Sequence, residues 1–322
     1  LVNYWQRDFP LVARPYAELG AWLGLAEAEV LARLGKLAGD GTVSRIGAVF
    51  RPHTLGWSTL AAVAVAPERV ETVARAISAF PEINHNYERE HDFNLWFVAT
   101  APSRERVAAV LREIGQAARS PVLDLPMLED FHIDLGFDLS GAPRPHLEPT
   151  RRRDEPEQVR LDAADHALAA ALEGGLAHVP RPYAELAGRL GWTEEAVLKR
   201  LRHLLDLGVI RRFGVVVRHR ELGYHANAMV VWDVPDARLA EVGRGLAGQA
   251  AVTLCYRRPR QAPHWRYNLF SMLHGQDRAG VLAELARLRG ELGLNDVDCQ
   301  PLFSRRRFKQ CGARYGSLAK VA

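Results

Sequence analysis

The chain has 322 residues, enough for two or three domains, and its 48% apolar and 25% charged content is that of an ordinary globular protein. No apolar run reaches the roughly 18 residues of a membrane-spanning helix, so no membrane span is expected, and three scattered cysteines, Cys255, Cys299 and Cys311, argue against a disulfide framework or a zinc site. The formal charge of +4, from 42 basic and 38 acidic side chains, suits an acidic partner, either nucleic acid or a polyanionic small molecule, in a reducing cytoplasm.

In chain order, the opening stretch Leu1 to Asp8 lacks the basic start and apolar centre of a signal peptide, and the missing initiator Met points to residues lost from the front. Pro15 suits the first turn of a helix whose apolar face is Tyr16, Leu19 and Leu23. Gly24 breaks it, and a second helix is expected over 26–38, with Val30, Leu34 and Leu37 inward and Gly41 as its stop. A β-like run, 42–49, completes a winged helix-turn-helix. A strand at 60–66, a helix at 68–80, strands at 84–90 and 94–100, a helix at 103–118 and a strand at 121–134 follow, the βαββαβ order of a ferredoxin-like fold.

The same unit then recurs. Arg14-Pro15-Tyr16-Ala17-Glu18-Leu19 returns as Arg181-Pro182-Tyr183-Ala184-Glu185-Leu186, and the same step maps Gly24 to Gly191, Gly41 to Gly208, Arg45 to Arg212 and Arg51 to Arg218. Further on the step lengthens, Tyr87 matching Tyr256 and Asn94 matching Asn268, so the second copy carries an insertion. The expected fold class is mixed α/β (α+β), a tandem repeat of winged helix-turn-helix plus ferredoxin-like domain. Its parts are helix-turn-helix 1 (1–50), α/β domain 1 (51–140), a Pro- and Arg-rich linker (141–158), helix-turn-helix 2 (159–217) and α/β domain 2 (218–322). The two copies are expected to pair their sheets, making the chain a pseudo-dimer, with further homo-oligomerisation left open.

The segment from Asn84 to Phe97 carries the chemistry. Alternation along a strand puts His85, Tyr87, Arg89 and His91 on one face. Two imidazoles, a phenol and a guanidinium suit an anionic ligand and proton transfer near neutral pH; the plain alternative is a solvated sheet face with aromatic packing. His53, His146, His166, His178, His203 and His219 sit in polar or linker contexts and are read as incidental, with His132 less clear-cut.

A helix-turn-helix joined to a ferredoxin-like domain resembles the Lrp/AsnC regulators, which would make the chain a DNA-binding transcriptional regulator. Against DNA stand Glu27 and Glu29 at the start of the second helix, with Glu194 and Glu195 at the same place in copy two, where carboxylates repel phosphate. More specific strings are Arg7-Asp8-Phe9-Pro10-Leu11, Ser44-Arg45-Ile46-Gly47-Ala48-Val49, and His85-Asn86-Tyr87-Glu88-Arg89-Glu90-His91 with Asn94-Leu95-Trp96-Phe97. They resemble the siroheme decarboxylases, Lrp/AsnC-like enzymes of heme d1 and alternative heme biosynthesis whose members are often two homologous subunits, here fused as in the D–L type.

That resemblance implies removal of the C12 and C18 acetate carboxyl groups of siroheme, giving 12,18-didecarboxysiroheme, with no cofactor beyond the substrate and its iron and no metal site of the protein's own. It implies His85 and His91 as catalytic acids, and Arg45, Arg51, Tyr87, Arg89, Arg212, Arg218, Arg257, Arg258 and His264 as substrate contacts, with His85 or His264 as a ligand to the siroheme iron. Arg45, Arg51, His85, Arg89 and His91 are expected to line one pocket between sheet and wing. Copy two departs from the pattern, with Leu254 opposite His85, so the copies are not equivalent.

Overall fold

The computed structural model describes residues 4–51, 54–133, 160–217 and 226–312. Arg218 and the linker 141–158 lie outside the described residues.

Each copy opens with a helix pair and one strand: α1 (Pro15–Leu23), α2 (Glu27–Gly39) and β1 (Val43–Phe50) in copy one, then α6 (Pro182–Leu190), α7 (Glu194–Asp206) and β7 (Ile210–Val217) in copy two. Pro15 and Pro182 start their helices where an N–H has no intrahelical partner, and Gly24 and Gly191 close them at φ 67° and 69°, a backbone that a β-carbon disfavours. Thr193 caps α7 by accepting from the Ala196 N–H. Copy two has one more helix in front, α5 (Ala163–Ala171), held by a capping box between Asp162 and Asp165.

The wing forms between the copies and is not a hairpin within one. β1 and β7 pair antiparallel, Gly47 opposite Gly214, as a separate two-stranded ribbon. The helix pairs interlock around it: the Tyr16 hydroxyl donates to the Ala177 carbonyl at 3.0 Å, and that of Tyr183 to the Pro10 carbonyl at 2.8 Å. Tyr16, Leu19, Leu34 and Ile46 share a core with Tyr183, Leu186, Leu201 and Phe213.

The α/β part of copy one comprises β2 (Trp57–Ala64), α3 (Val70–Ala79), β3 (Ile83–Arg89), β4 (Phe93–Ala101), α4 (Arg104–Ala118), β5 (Val122–Pro126) and β6 (Glu129–Ile133). That of copy two comprises β8 (Ala226–Asp233), α8 (Leu239–Ala247), β9 (Val252–Arg257), β10 (Leu269–Gly275), α9 (Arg278–Glu291) and β11 (Asp298–Gln310). All but the wing strands join one sheet of nine, in the order β5-β2-β4-β3-β11-β8-β10-β9-β6. The strand expected over 121–134 is therefore two. β5 pairs with β2 of its own copy, while β6 crosses to pair with β9 of the other. β11 does the reciprocal in one piece, its first half on β8 and its second half on β3.

The helices cover the outer faces of each half over separate apolar cores. Between the halves Leu60, Trp96 and Leu125 of copy one meet Met229, Tyr256, Phe270 and Leu302 of copy two, so the sheets pack face to face as well as edge to edge. The inserted residues of copy two turn at Gln261 and Trp265 and lay Trp265 into this inner core, its ring centroid 5.2 Å from that of Trp96.

Candidate functional site

β3 reaches the wing at its N-terminal end. Asn86 and Glu88 face the helix layer, where Asn86 donates to the Ala74 carbonyl of α3 and Glu88 binds Arg306. His85, Tyr87 and Arg89 lie on the opposite, inter-sheet side, as the alternation requires. The His85 and Tyr87 rings stack at 6.2 Å, and the Arg89 guanidinium sits 5.8 Å from the Tyr87 ring centre.

Arg45, on β1, comes up to the same end. Gly175 and Gly312 flank it: a β-carbon on Gly175 would lie 2.8 Å from Arg45 Cβ, and one on Gly312 3.3 Å from Arg45 Nη1. Burial first, and then the charge of Arg45, push the His85 imidazole down to about 4, so it is neutral at pH 7. Its Nδ1 lies 2.7 Å from Asn84 Oδ1.

The other expected residues that are described, His91, Arg51, Arg212, Arg257, Arg258 and His264, have varied surroundings. His91 lies past the end of β3, in the turn to β4, with Nδ1 accepting from the Phe93 N–H at 2.9 Å and its ring 5.4 Å from that of Trp265. Burial lowers its pKa although Asp92 pulls the other way. The strand face that carries His85, Tyr87 and Arg89 thus ends before His91. Beside His91 is a groove of about 460 Å³ lined by Glu88, Arg89, Glu90, Asp92 and Arg305 among others. Its three carboxylates make it a poor receptor for a polyanion.

Arg89 and Arg258 are a pseudo-symmetric pair. Arg89 donates to the Leu302 carbonyl at 2.9 Å, and Arg258, stacked 4.5 Å over Tyr256, donates to the Leu125 carbonyl. Each buried guanidinium thus ties its copy to a main-chain carbonyl of the other copy, in β11 for Arg89 and in β5 for Arg258. Arg212, the counterpart of Arg45, is buried in the wing opposite Val49. Arg51 follows β1, its N–H on the Val209 carbonyl. Arg257 ends β9, opposite Glu129, and His264 is exposed on the inserted turn. The insertion's other arginines are ion-paired, Arg260 with Asp233 and Asp236, and Arg266 with Asp233 and Asp298.

Sequence reasoning missed His274. It lies on β10, and burial, then Arg89, push it down to about 4. Its Nδ1 contacts Asn227 Oδ1 and its Nε2 lies 3.0 Å from Thr253 Oγ1. The signal was available: the longer step of the repeat places His274 opposite Thr100, a polar position in both copies. Among the described residues no group of His, Cys, Asp or Glu is arranged to hold a metal ion. No helix among them is long and apolar enough to cross a membrane. In α2 and α7, Glu27 and Glu194 pair with Arg14 and Arg181 at the helix starts.

Comparison with known proteins agrees with this architecture. Residues 54–132 and 221–309 match the AsnC-like ligand binding domain, and residues 1–43 and 165–211 match the siroheme decarboxylase NirDL-like HTH domain. The siroheme decarboxylase NirDL subunit of Paracoccus denitrificans is 45% identical over 323 residues, covering 100% of this chain and 97% of that protein. The siroheme decarboxylase NirL subunit of Stutzerimonas stutzeri is 49% identical over 144 residues, 45% of this chain and 85% of its own length. Among solved structures, the siroheme decarboxylase NirDL in co-complex with an iron-uroporphyrin III analogue superposes with a TM-score of 0.71 at 32% identity, over 97% of this chain and 92% of that one. With both domain types matched twice and a relative alike from end to end, this chain belongs to the siroheme decarboxylase family.

Proposed function

We propose that the protein removes the C12 and C18 acetate carboxyl groups of siroheme as two CO2, leaving methyl groups and releasing 12,18-didecarboxysiroheme for heme d1 or an alternative heme route. The observation that carries the reading is the meeting of Arg45 and His85 at the wing end of β3, in a chain alike along its whole length to siroheme decarboxylases. For each carboxylate the C–C bond breaks, its electron pair stays on the methylene carbon beside the pyrrole, and one proton closes the valence. The sum needs one proton from solvent per CO2 and no oxidant, so no cofactor beyond the substrate and its iron enters.

The chain's residues divide that work. Arg45 neutralises a rim carboxylate by charge-assisted hydrogen bonds, with Arg51, Arg212 and Arg257 as further cations around the wing and β9, and Arg218 as another outside the described residues. A polyanion brought to His85 offsets the charge of Arg45, the second cause of its lowered pKa after burial, so the imidazole takes up a proton as substrate binds and delivers it to carbon. A neutral imidazole would also suit the siroheme iron as a ligand, from His85 or His264; since an iron-bound nitrogen cannot carry the transferred proton, ligation falls to His264 where His85 is the acid. His91 and Tyr87 remain candidates for the second acid and a rim contact, and Arg89 and Arg258 for cations acting from behind the site. The free thiols of Cys255, Cys299 and Cys311 support a cytoplasmic location.

Incubating the purified protein anaerobically with siroheme, and following mass and absorption, is expected to give a product lighter by two CO2. Unchanged siroheme, together with sequence-selective binding to its own upstream DNA, would instead identify a regulator of the Lrp/AsnC type.

A further inference from the structure

The inner face of β3 carries one irregularity. Against β4 the register shifts between Ile83 and His85, so Asn84 is an extra residue on its strand. Neighbouring side chains on a regular strand point to opposite faces. The bulge brings those of Asn84 and His85 together, 2.7 Å from Oδ1 to Nδ1. Asn84 is itself fixed: it is buried, its Nδ2 donates to Thr100 Oγ1 at 2.9 Å, and its carbonyl accepts from the Cys311 N–H at 2.8 Å. With the amide nitrogen facing Thr100, only its oxygen faces His85. An amide oxygen accepts and cannot donate, so the imidazole proton belongs on Nδ1 and the lone pair on Nε2.

Copy two repeats the bulge, with a register shift between Met272 and Leu273 that leaves Thr253 as the extra residue. There Thr253 and Asn227 engage both nitrogens of His274, and the residue after the bulge is Leu254. Of the two bulges, that of copy one leaves, among the described residues, an imidazole nitrogen for a ligand.

We propose that Asn84, held by Thr100, is a positioning residue that keeps the proton of neutral His85 on Nδ1, so that Nε2 is the nitrogen that meets siroheme and through which each proton passes. This rests on the reaction assigned above. In each cycle Nε2 takes a proton from solvent, and the resulting N–H bond breaks as the C–H bond of the new methyl group forms.

The test begins without substrate. Nitrogen-15 NMR of the histidine rings in the full apo chain separates the two tautomers, with His85→Ala assigning the resonance. The wild type is expected to show the Nδ1–H form. Asn84→Ala and Thr100→Val should shift it towards the commoner Nε2–H form, and Asn84→Asp, which keeps the acceptor, should restore it. In siroheme turnover, Asn84→Ala is expected to lower kcat at least tenfold with KM within about threefold, and Asn84→Asp to recover most of it. An Nε2–H tautomer in the wild type, or normal kcat in an Asn84→Ala protein whose tautomer has changed, overturns the proposal. The expected tautomers with no siroheme turnover by the wild type would overturn the reaction and leave the hydrogen-bond relay standing.

Discussion

At the residue scale, His85 and Arg45 have separable tasks. His85→Ala is expected to lower decarboxylation by about 10²–10⁴-fold with siroheme affinity nearly kept, since a lost proton donor raises the barrier and not the dissociation constant. Arg45→Ala should weaken binding by about 1.5–3 kcal/mol, read by titrating the siroheme absorption band. It should also let the His85 pKa rise, since the charge of Arg45 helps to lower it. The pH dependence of stability has a definite sign. His85 and His274 are depressed to about 4 when folded, against an ordinary value of 6.5. Between those values the unfolded chain binds more protons than the folded one, so stability is full above about pH 6.5 and falls as pH drops towards 4. Denaturant midpoints should therefore decline through that window, and a flat profile would count against both burials. The face bearing His85 was legible because period-2 alternation holds along most of β3. Asn84 was not, because alternation assigns it to the other face and a bulge has no reliable mark in sequence. The strand pattern could not show that Arg89 and Arg258 also reach the carbonyls of Leu302 and Leu125.

At the element scale, helices were easier to read than strand partners. Pro15, Gly24, Thr193 and Gly208 mark ends through local chemistry that any chain shows, whereas β6 looks like a continuation of β5 until its partner is known. Pro126, which lacks an N–H to extend a ladder, was the available sign of the break. The crossing of β6 depends on a missing side chain: a β-carbon on Gly243 of α8 would lie 2.5 Å from the Phe131 ring. Gly243→Ala is expected to cost about 1–3 kcal/mol in urea unfolding by pushing that ring off its seat, and pairing it with Phe131→Leu should recover part of the loss. The insertion, read as a source of arginines and one histidine, places Trp265 between the sheets with 1% exposure. Trp265→Ala should destabilise by about 3–5 kcal/mol, whereas His264→Ala, at the exposed tip of the same turn, should leave the denaturation midpoint unchanged.

At the scale of the whole molecule, the tandem repeat predicted two copies and a paired sheet but gave no hint that each copy finishes the other. The wing needs one strand from each, β3 is bordered by β11, and β9 by β6. Copies expressed separately should therefore be unstable or self-associated, and mixing them should restore a 1:1 complex by analytical ultracentrifugation. A copy-one fragment that stayed monomeric with a native melting transition would contradict this. Covalent fusion also settles a matter of composition. Free subunits with such similar edges can sort into like pairs as well as unlike ones, and a like pair would hold two His85 sites or none. A single chain fixes one of each in every molecule at any dilution, because the partner's effective concentration is set by the tether and not by expression. Under that guarantee each half can drift away from self-compatibility, so Leu254 is tolerated where His85 stands in its twin.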